Sequence, residues 1–368
     1  MSDIRAIIGE ELARRRAISF ERFMELTLYC PNFGYYERLH ESPGRRGDYF
    51  TSVSVGSLFG ELLAGKFAEW ADKNAQCGAR SGQWQILEAG AHDGKLASDI
   101  LRWLRVQRQD VFDTLEYWIL EPSAPRRSSQ EKTLRDFAGK VTWFNSWDAL
   151  PEAGVRGIIF SNELLDAMPV RRLGWDAGRK KWFEWGVSLK GDDFVWTKMA
   201  EDSGLEEHVS SWHLPAELLQ VLPDGFTTEI GGAAVNWWRR VARSLKEGHL
   251  LALDYGLAQE DFFTPERKEG TLRAYYRHHL NTDLLAHAGE QDITAQVNFT
   301  AIREAGEAEG LKTESFVSQG QFLTEIVQGM CQKNPAYAEW ISERARAFQT
   351  LTHPEHLGRA FRVLLQRR

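Results

Sequence analysis

Cysteine is scarce in this sequence. Its 368 residues include three, Cys30, Cys77 and Cys331, far apart and with no paired spacing. That excludes a disulfide framework and a cysteine-based zinc site, and it suits a reducing compartment. Long hydrophobic runs are absent: none approaches the ~20 residues needed to span a bilayer. Residues 1–17 lack the apolar core of a secretory signal. Arg14, Arg15 and Arg16 would suit a mitochondrial presequence, but Asp3, Glu10 and Glu11 are out of place in one, so the segment reads as a surface helix of a cytoplasmic protein. An excess of positive charge is also missing. The formal net charge of −7 argues against nucleic acid or anionic membrane as a general partner and leaves only local basic patches to consider. The ten histidines show no His-x-x-x-His spacing beside an acid, so no metal set is expected. Neither a Gly-x-Ser-x-Gly nucleophile elbow nor an internal repeat appears.

The length allows one large domain or two ordinary ones. Tryptophan is abundant, at fourteen residues, most of them expected in the core because indole buries a large area and needs a single hydrogen-bond partner. Ser19 can cap a helix carrying Phe20, Phe23, Met24 and Leu28. Leu58, Phe59, Leu62, Leu63, Phe67 and Trp70 recur at helical spacing. The pattern then changes to alternating strand and helix. Short apolar strands are expected at 84–88, 116–121, 141–144, 157–161 and 249–254, with a helix through Leu96, Ile100, Leu101 and Leu104. Such alternation predicts an α/β fold, a mostly parallel, doubly wound sheet with helices on both faces. Segments 181–187 and 194–196 read as a hairpin that interrupts it, followed by helical material and a strand at 226–230. The expected division is an N-terminal helical segment and loop over 1–80, then a Rossmann-like domain over 81–368 with an insertion at about 171–225 that covers the cofactor end of the sheet.

The chemistry centres on Glu88-Ala89-Gly90-Ala91-His92-Asp93-Gly94, directly after the first strand. In open α/β sheets ligands bind beyond the carboxyl ends of the strands. A glycine there allows close backbone approach, and the following helix offers free N–H groups. A dinucleotide site would carry Gly-x-Gly-x-x-Gly, and a Walker loop would end Gly-Lys-Ser/Thr; Gly94-Lys95-Leu96 fits neither. A methyltransferase loop has an acid just before its glycine, which Glu88 supplies. Glu121 ends the second strand, where such folds place a carboxylate that accepts the ribose hydroxyls. The third strand leads to Ser146, Trp147 and Asp148, where adenine would lie. Trp147 could cover its face, with plain core as the equal alternative. At the exit of the fourth strand, Asn162 and Glu163 face the transferable methyl.

Here the resemblance becomes specific. Ser161-Asn-Glu-Leu-Leu-Asp-Ala-Met-Pro-Val170 and Gly47-Asp-Tyr-Phe-Thr-Ser52 resemble segments of the MidA family. So do Tyr29–Tyr36, Leu253-Asp-Tyr-Gly256, Gly270-Thr-Leu-Arg-Ala-Tyr275 with His278-His279, and Asp292–Val297. The matches run in order over most of the chain. The resemblance implies a class I methyltransferase fold and S-adenosylmethionine as cofactor. It also implies a protein arginine as acceptor, which in known mitochondrial members belongs to a respiratory complex I subunit. His92 stands where the family carries glycine.

Methyl transfer requires alignment of nucleophile, carbon and sulfur. A guanidinium is paired and oriented by a carboxylate fork. Glu163 is the first candidate for that catalytic role, with Asp166 or Asp48 second. The cofactor-binding candidates are Gly47, Thr51, Glu88, Ala89, Gly90, Glu121, Ser146, Trp147 and Asn162, with Asp48 and Thr51 alternatively folding their loop over the methionine moiety. His278 and His279 read as structural. The competing readings are a non-catalytic assembly or scaffold protein that keeps the fold, and a nicotinamide-dependent oxidoreductase, which the missing middle glycine disfavours.

Overall fold

The computed structural model describes residues 4–38, 51–76, 84–200, 203–210, 212, 214–277 and 279–368. By internal packing they fall into two units. One holds 51–165, Trp237–Tyr255 and Arg303–Arg368, and the other holds 4–38, Asp166–Asn236 and Gly256–Ile302.

The first unit is built on the seven-strand main path of an eight-stranded sheet: β1 Trp84–Ala89, β2 Leu115–Leu120, β3 Val141–Phe144, β4 Val155–Asn162, β5 Leu245–Leu257, β6 Lys312–Ser318 and β7 Phe361–Arg367. Their spatial order is β6-β7-β5-β4-β1-β2-β3. Neighbours from β3 to β5 are parallel, whereas β7 runs antiparallel to both β5 and β6. The sheet is therefore parallel apart from one reversed strand, and strand order reverses direction next to β1. β1, β4 and β5 are buried on both faces, so they read as continuous apolar runs rather than alternating ones. Ile86, Ile158, Phe160, Leu251 and Leu253 pack into one cluster with helices α1 Leu58–Gln76 and α2 Lys95–Gln107. On the other side of the pleat Leu87, Ile159, Leu250 and Ala252 are equally buried. Helix α3 Ala124–Thr133 connects β2 to β3, and α4 Gly232–Ser244 leads into β5. Trp238 of α4 is fully buried, its indole N–H donating to Gln366 Oε1 at 2.8 Å.

The second unit carries an antiparallel sheet in the order 18–19, 181–190, 171–176, 227–230, with Asp193–Lys198 paired to Lys181–Lys190. A second sheet joins His279–Asn281, Arg273–Tyr276 and Asp292–Thr294. Its core brings Ile4, Ile8, Phe20, Phe23, Met24, Ala274 and Ile293 together. Ser19 Oγ accepts the Arg22 N–H at 3.1 Å, the cap that the sequence calls for. Composition drew residues 1–80 as one segment and one insertion after β4. In the structure the first of these residues group with the excursion after β4 and with a further one after β5, because Phe20, Ala274 and Ile293 share a core. All fourteen tryptophans are buried or half-buried.

Candidate functional site

β1 ends at Ala89, a residue that is 1% exposed. The chain then turns through three left-handed residues at alternate positions, Gly90 (φ 77°), His92 (φ 48°) and Gly94 (φ 84°), before α2 begins. The left-handed backbone favours glycine at Gly90, where a Cβ would also press on Leu164 Cδ1 at 2.9 Å. His92 takes up the backbone geometry that its departure from glycine put in question, at a cost of about 1–2 kcal/mol for an L-residue. The loop delivers the chain to the N-terminus of a 13-residue helix, which favours anionic and acceptor groups. Asp93 Oδ1 accepts the Lys95 N–H at 3.0 Å.

Glu88 lies inside the protein, below this loop. Its carboxyl is 2% exposed and accepts the Tyr117 hydroxyl at 2.6 Å. Burial pushes its pKa up to about 7; the Tyr117 hydrogen bond opposes the shift and the Asp93 charge adds to it. Enclosed in this way, Glu88 joins β1 to the neighbouring strand β2 through Tyr117.

Glu121 follows the last residue of β2 and is 5% exposed. Its N–H donates to the Phe144 carbonyl at 2.9 Å, which ties it to the end of β3. Oε1 accepts the Ser123 N–H at 2.9 Å and Oε2 accepts Gln130 Nε2 at 2.8 Å. Each oxygen thus has a donor that orients it. After β3, Ser146 is exposed and starts a short 3-10 turn. Trp147 is half-buried, packed edge-on against Trp237 with ring centroids 5.7 Å apart, and Asp148 is paired with Arg240.

At the end of β4, Ser161 is 1% exposed, and its Oγ and Asn162 Oδ1 are buried without a hydrogen-bond partner among the described residues. Glu163 follows in the left-handed region (φ 51°), a strained backbone for a side chain of this length. Its N–H donates to the Leu253 carbonyl at 3.0 Å, and Oε1 accepts Asn162 Nδ2 at 3.2 Å. The turn is held by Asp254, which is fully buried. Asp254 Oδ2 accepts the N–H groups of Leu164 at 3.1 Å and Leu165 at 2.8 Å, and Oδ1 accepts its neighbour Tyr255 N–H at 2.8 Å.

The structure thus gathers Glu88, Ala89, Gly90, Glu121, Ser146, Trp147, Asn162 and Glu163 at the carboxyl ends of β1 to β4 of one sheet. Thr51 belongs to the same unit, where it exchanges hydrogen bonds with Ser54 at the start of a 3-10 turn. Asp166 belongs to the other unit, where its carbonyl accepts the Ala295 N–H at 2.8 Å. Gly47, Asp48 and His278 lie outside the described residues, and His279 is exposed on a short strand. Sequence reasoning missed Tyr117, Gln130 and Asp254. Only Asp254 carried a signal, as the acid at the end of the fifth apolar run.

With the geometry in place, a family model of S-adenosyl-L-methionine-dependent methyltransferases matches residues 62–317. This chain belongs to that family. A structure from Burkholderia thailandensis bound to S-adenosyl-homocysteine is 32% identical, covers 99% of this chain and 92% of its own, and superposes with a TM-score of 0.81. The mitochondrial protein arginine methyltransferase NDUFAF7 homolog of Drosophila melanogaster is 27% identical over 94% of this chain and 80% of its own. The Rattus norvegicus NDUFAF7 is 26% identical over 94% and 79%. The MidA resemblance, the Rossmann-like methyltransferase fold and S-adenosylmethionine as cofactor all stand. The residues of this chain fit that cofactor: a left-handed loop at a helix N-terminus, an oriented carboxylate at the end of β2, and the orphaned Ser161 Oγ and Asn162 Oδ1 at the end of β4. One expectation is overturned. The relatives from D. melanogaster, R. norvegicus and Homo sapiens are named as mitochondrial, so the cytoplasmic assignment is withdrawn. The acids among residues 1–17 had driven that assignment, and they speak only for those residues.

Proposed function

We propose that this methyltransferase acts on an arginine side chain of a protein, with Glu163 as the carboxylate that takes the guanidinium. When bound, S-adenosylmethionine supplies a methyl group on a sulfonium. On this reading Gly90 and its neighbours give the cofactor close backbone approach, and Glu121 accepts the ribose hydroxyls. Ser146 and Trp147 stand at the adenine edge and face, while Ser161 and Asn162 offer their unpaired polar atoms to the remaining part. Glu163 orients the guanidinium, whose free pKa lies above ~12, and offsets charge on the attacking nitrogen.

The observation that carries this reading is the left-handed backbone of Glu163, at the exit of β4 and fixed by the buried Asp254. Strain of this kind persists only where surrounding structure over-determines it, and it clusters at functional sites. The relatives' names as protein arginine methyltransferases support the acceptor class. The family resemblance points to a respiratory complex I subunit as the acceptor protein. The test is incubation of the protein with methyl-labelled S-adenosylmethionine and a protein extract from its source cells, followed by amino-acid analysis. Label in methylarginine, absent with Glu163→Gln, is the expected result. Label only in other residues or in small molecules overturns the acceptor assignment.

A further inference from the structure

Gln130 is fully buried on α3, in a sequence otherwise dominated by exposed polar residues. Its side-chain amide makes three hydrogen bonds, each to a different part of the site. Nε2 donates to Glu121 Oε2 at 2.8 Å and to the His92 carbonyl at 3.0 Å, and Oε1 accepts the Trp143 indole N–H at 3.0 Å. The amide therefore ties the end of β2, the left-handed loop after β1 and strand β3 to one point. The bond to the His92 carbonyl falls at the one left-handed residue of the loop that is not glycine. It fixes the peptide after that residue in the orientation that a glycine would otherwise reach without strain.

We infer that Gln130 is a positioning residue for cofactor recognition, setting the Glu121 carboxylate for the ribose hydroxyls and holding the loop that carries His92 in the same register. This rests on the reading of Glu121 as the ribose acceptor. A carboxylate oxygen bonded to a buried, fixed amide is fixed in direction itself, so hydroxyl recognition by Glu121 depends on Gln130 although Gln130 itself does not reach the ribose. Glutamine is the suitable residue: a carboxylate here would repel Glu121, and an aliphatic side chain would remove the hydrogen bonds to Glu121, the His92 carbonyl and the Trp143 indole.

The test uses the full chain and calorimetric titration with two probes, S-adenosylhomocysteine and its 2′-deoxy analogue, in wild type, Gln130→Leu and Glu121→Gln. Wild type should prefer the intact ribose by about tenfold, the value of one hydrogen bond to a charged group. Gln130→Leu should bind S-adenosylhomocysteine about tenfold more weakly and discriminate the two probes by less than about threefold. A merely structural role would weaken both probes equally and leave their ratio unchanged. A variant that keeps the wild-type ratio while Glu121→Gln loses it overturns the role of Gln130 alone. If Glu121→Gln also keeps the ratio, the ribose assignment of Glu121 fails first, and the inference with it. Circular dichroism of each variant confirms that the titrated protein is folded.

Discussion

Glu121 and Glu163 stand at the carboxyl ends of two strands of the same sheet and are held in place by opposite means. Glu121 is buried, and each of its carboxylate oxygens accepts a hydrogen bond. Glu163 is half-buried, and its position is imposed through the backbone: a left-handed residue followed by a turn whose two amides are taken by Asp254. The first arrangement suits constant recognition of a neutral hydroxyl pair, where orientation of the acceptor is everything. The second sets the direction in which the side chain leaves the main chain, which suits a group proposed to meet an incoming cation. One acid is placed by what its side chain touches, and the other by where its main chain is forced to go.

That contrast predicts separable losses. Glu163→Gln should lower the single-turnover rate of methyl transfer by about 1,000-fold, because a charge that strengthens in the transition state is removed. The affinity for S-adenosylhomocysteine should stay within about threefold, as calorimetry would read it. A comparable loss of binding would break the distinction between the two acids. Asp254→Asn should destabilise the protein by about 2–3 kcal/mol in denaturant titration, since an amide cannot accept from all the backbone N–H groups that the carboxylate serves. If Glu163 takes the proposed role, Asp254→Asn should also lower turnover without removing cofactor binding. Unchanged turnover in a folded Asp254→Asn protein would mean that the turn does not place Glu163.

Glu88 sharpens the comparison further, as a third acid at a strand end, buried and paired with Tyr117. Its pKa is raised from 4.5 to about 7 by burial, so the folded state favours the protonated form. Its stabilising contribution is complete below the ordinary carboxylate range and is lost as pH rises through about 7. Glu88→Gln should therefore raise stability by roughly 1–3 kcal/mol at pH 8 and change it little at pH 5. Equal effects at both pH values would remove burial as the cause.

The sheet strands up to β5 were legible because parallel strands buried on both faces leave continuous apolar runs, as in Gly157–Ser161 and His249–Asp254. β6 and β7 were missed: Lys312–Ser318 mixes polar and half-buried positions, and Phe361–Arg367 follows directly on a short helical turn, Leu357–Ala360. The strand ends told where Glu121 and Glu163 stand, since position after an apolar run is a local property. How they are held was not local. Gln130 meets Glu121 across nine positions of chain, and Asp254 meets Leu165 across 89. A lone glutamine in a polar helix carries no periodicity that would single it out.

The most direct test is calorimetric titration of S-adenosylhomocysteine into the wild-type protein and Glu121→Ala, with NAD as control. The account predicts saturable binding to wild type, no binding of NAD, and an affinity about 100-fold lower in the variant, since two charge-assisted hydrogen bonds are lost. Wild-type affinity in a folded Glu121→Ala protein would contradict it and place the cofactor elsewhere.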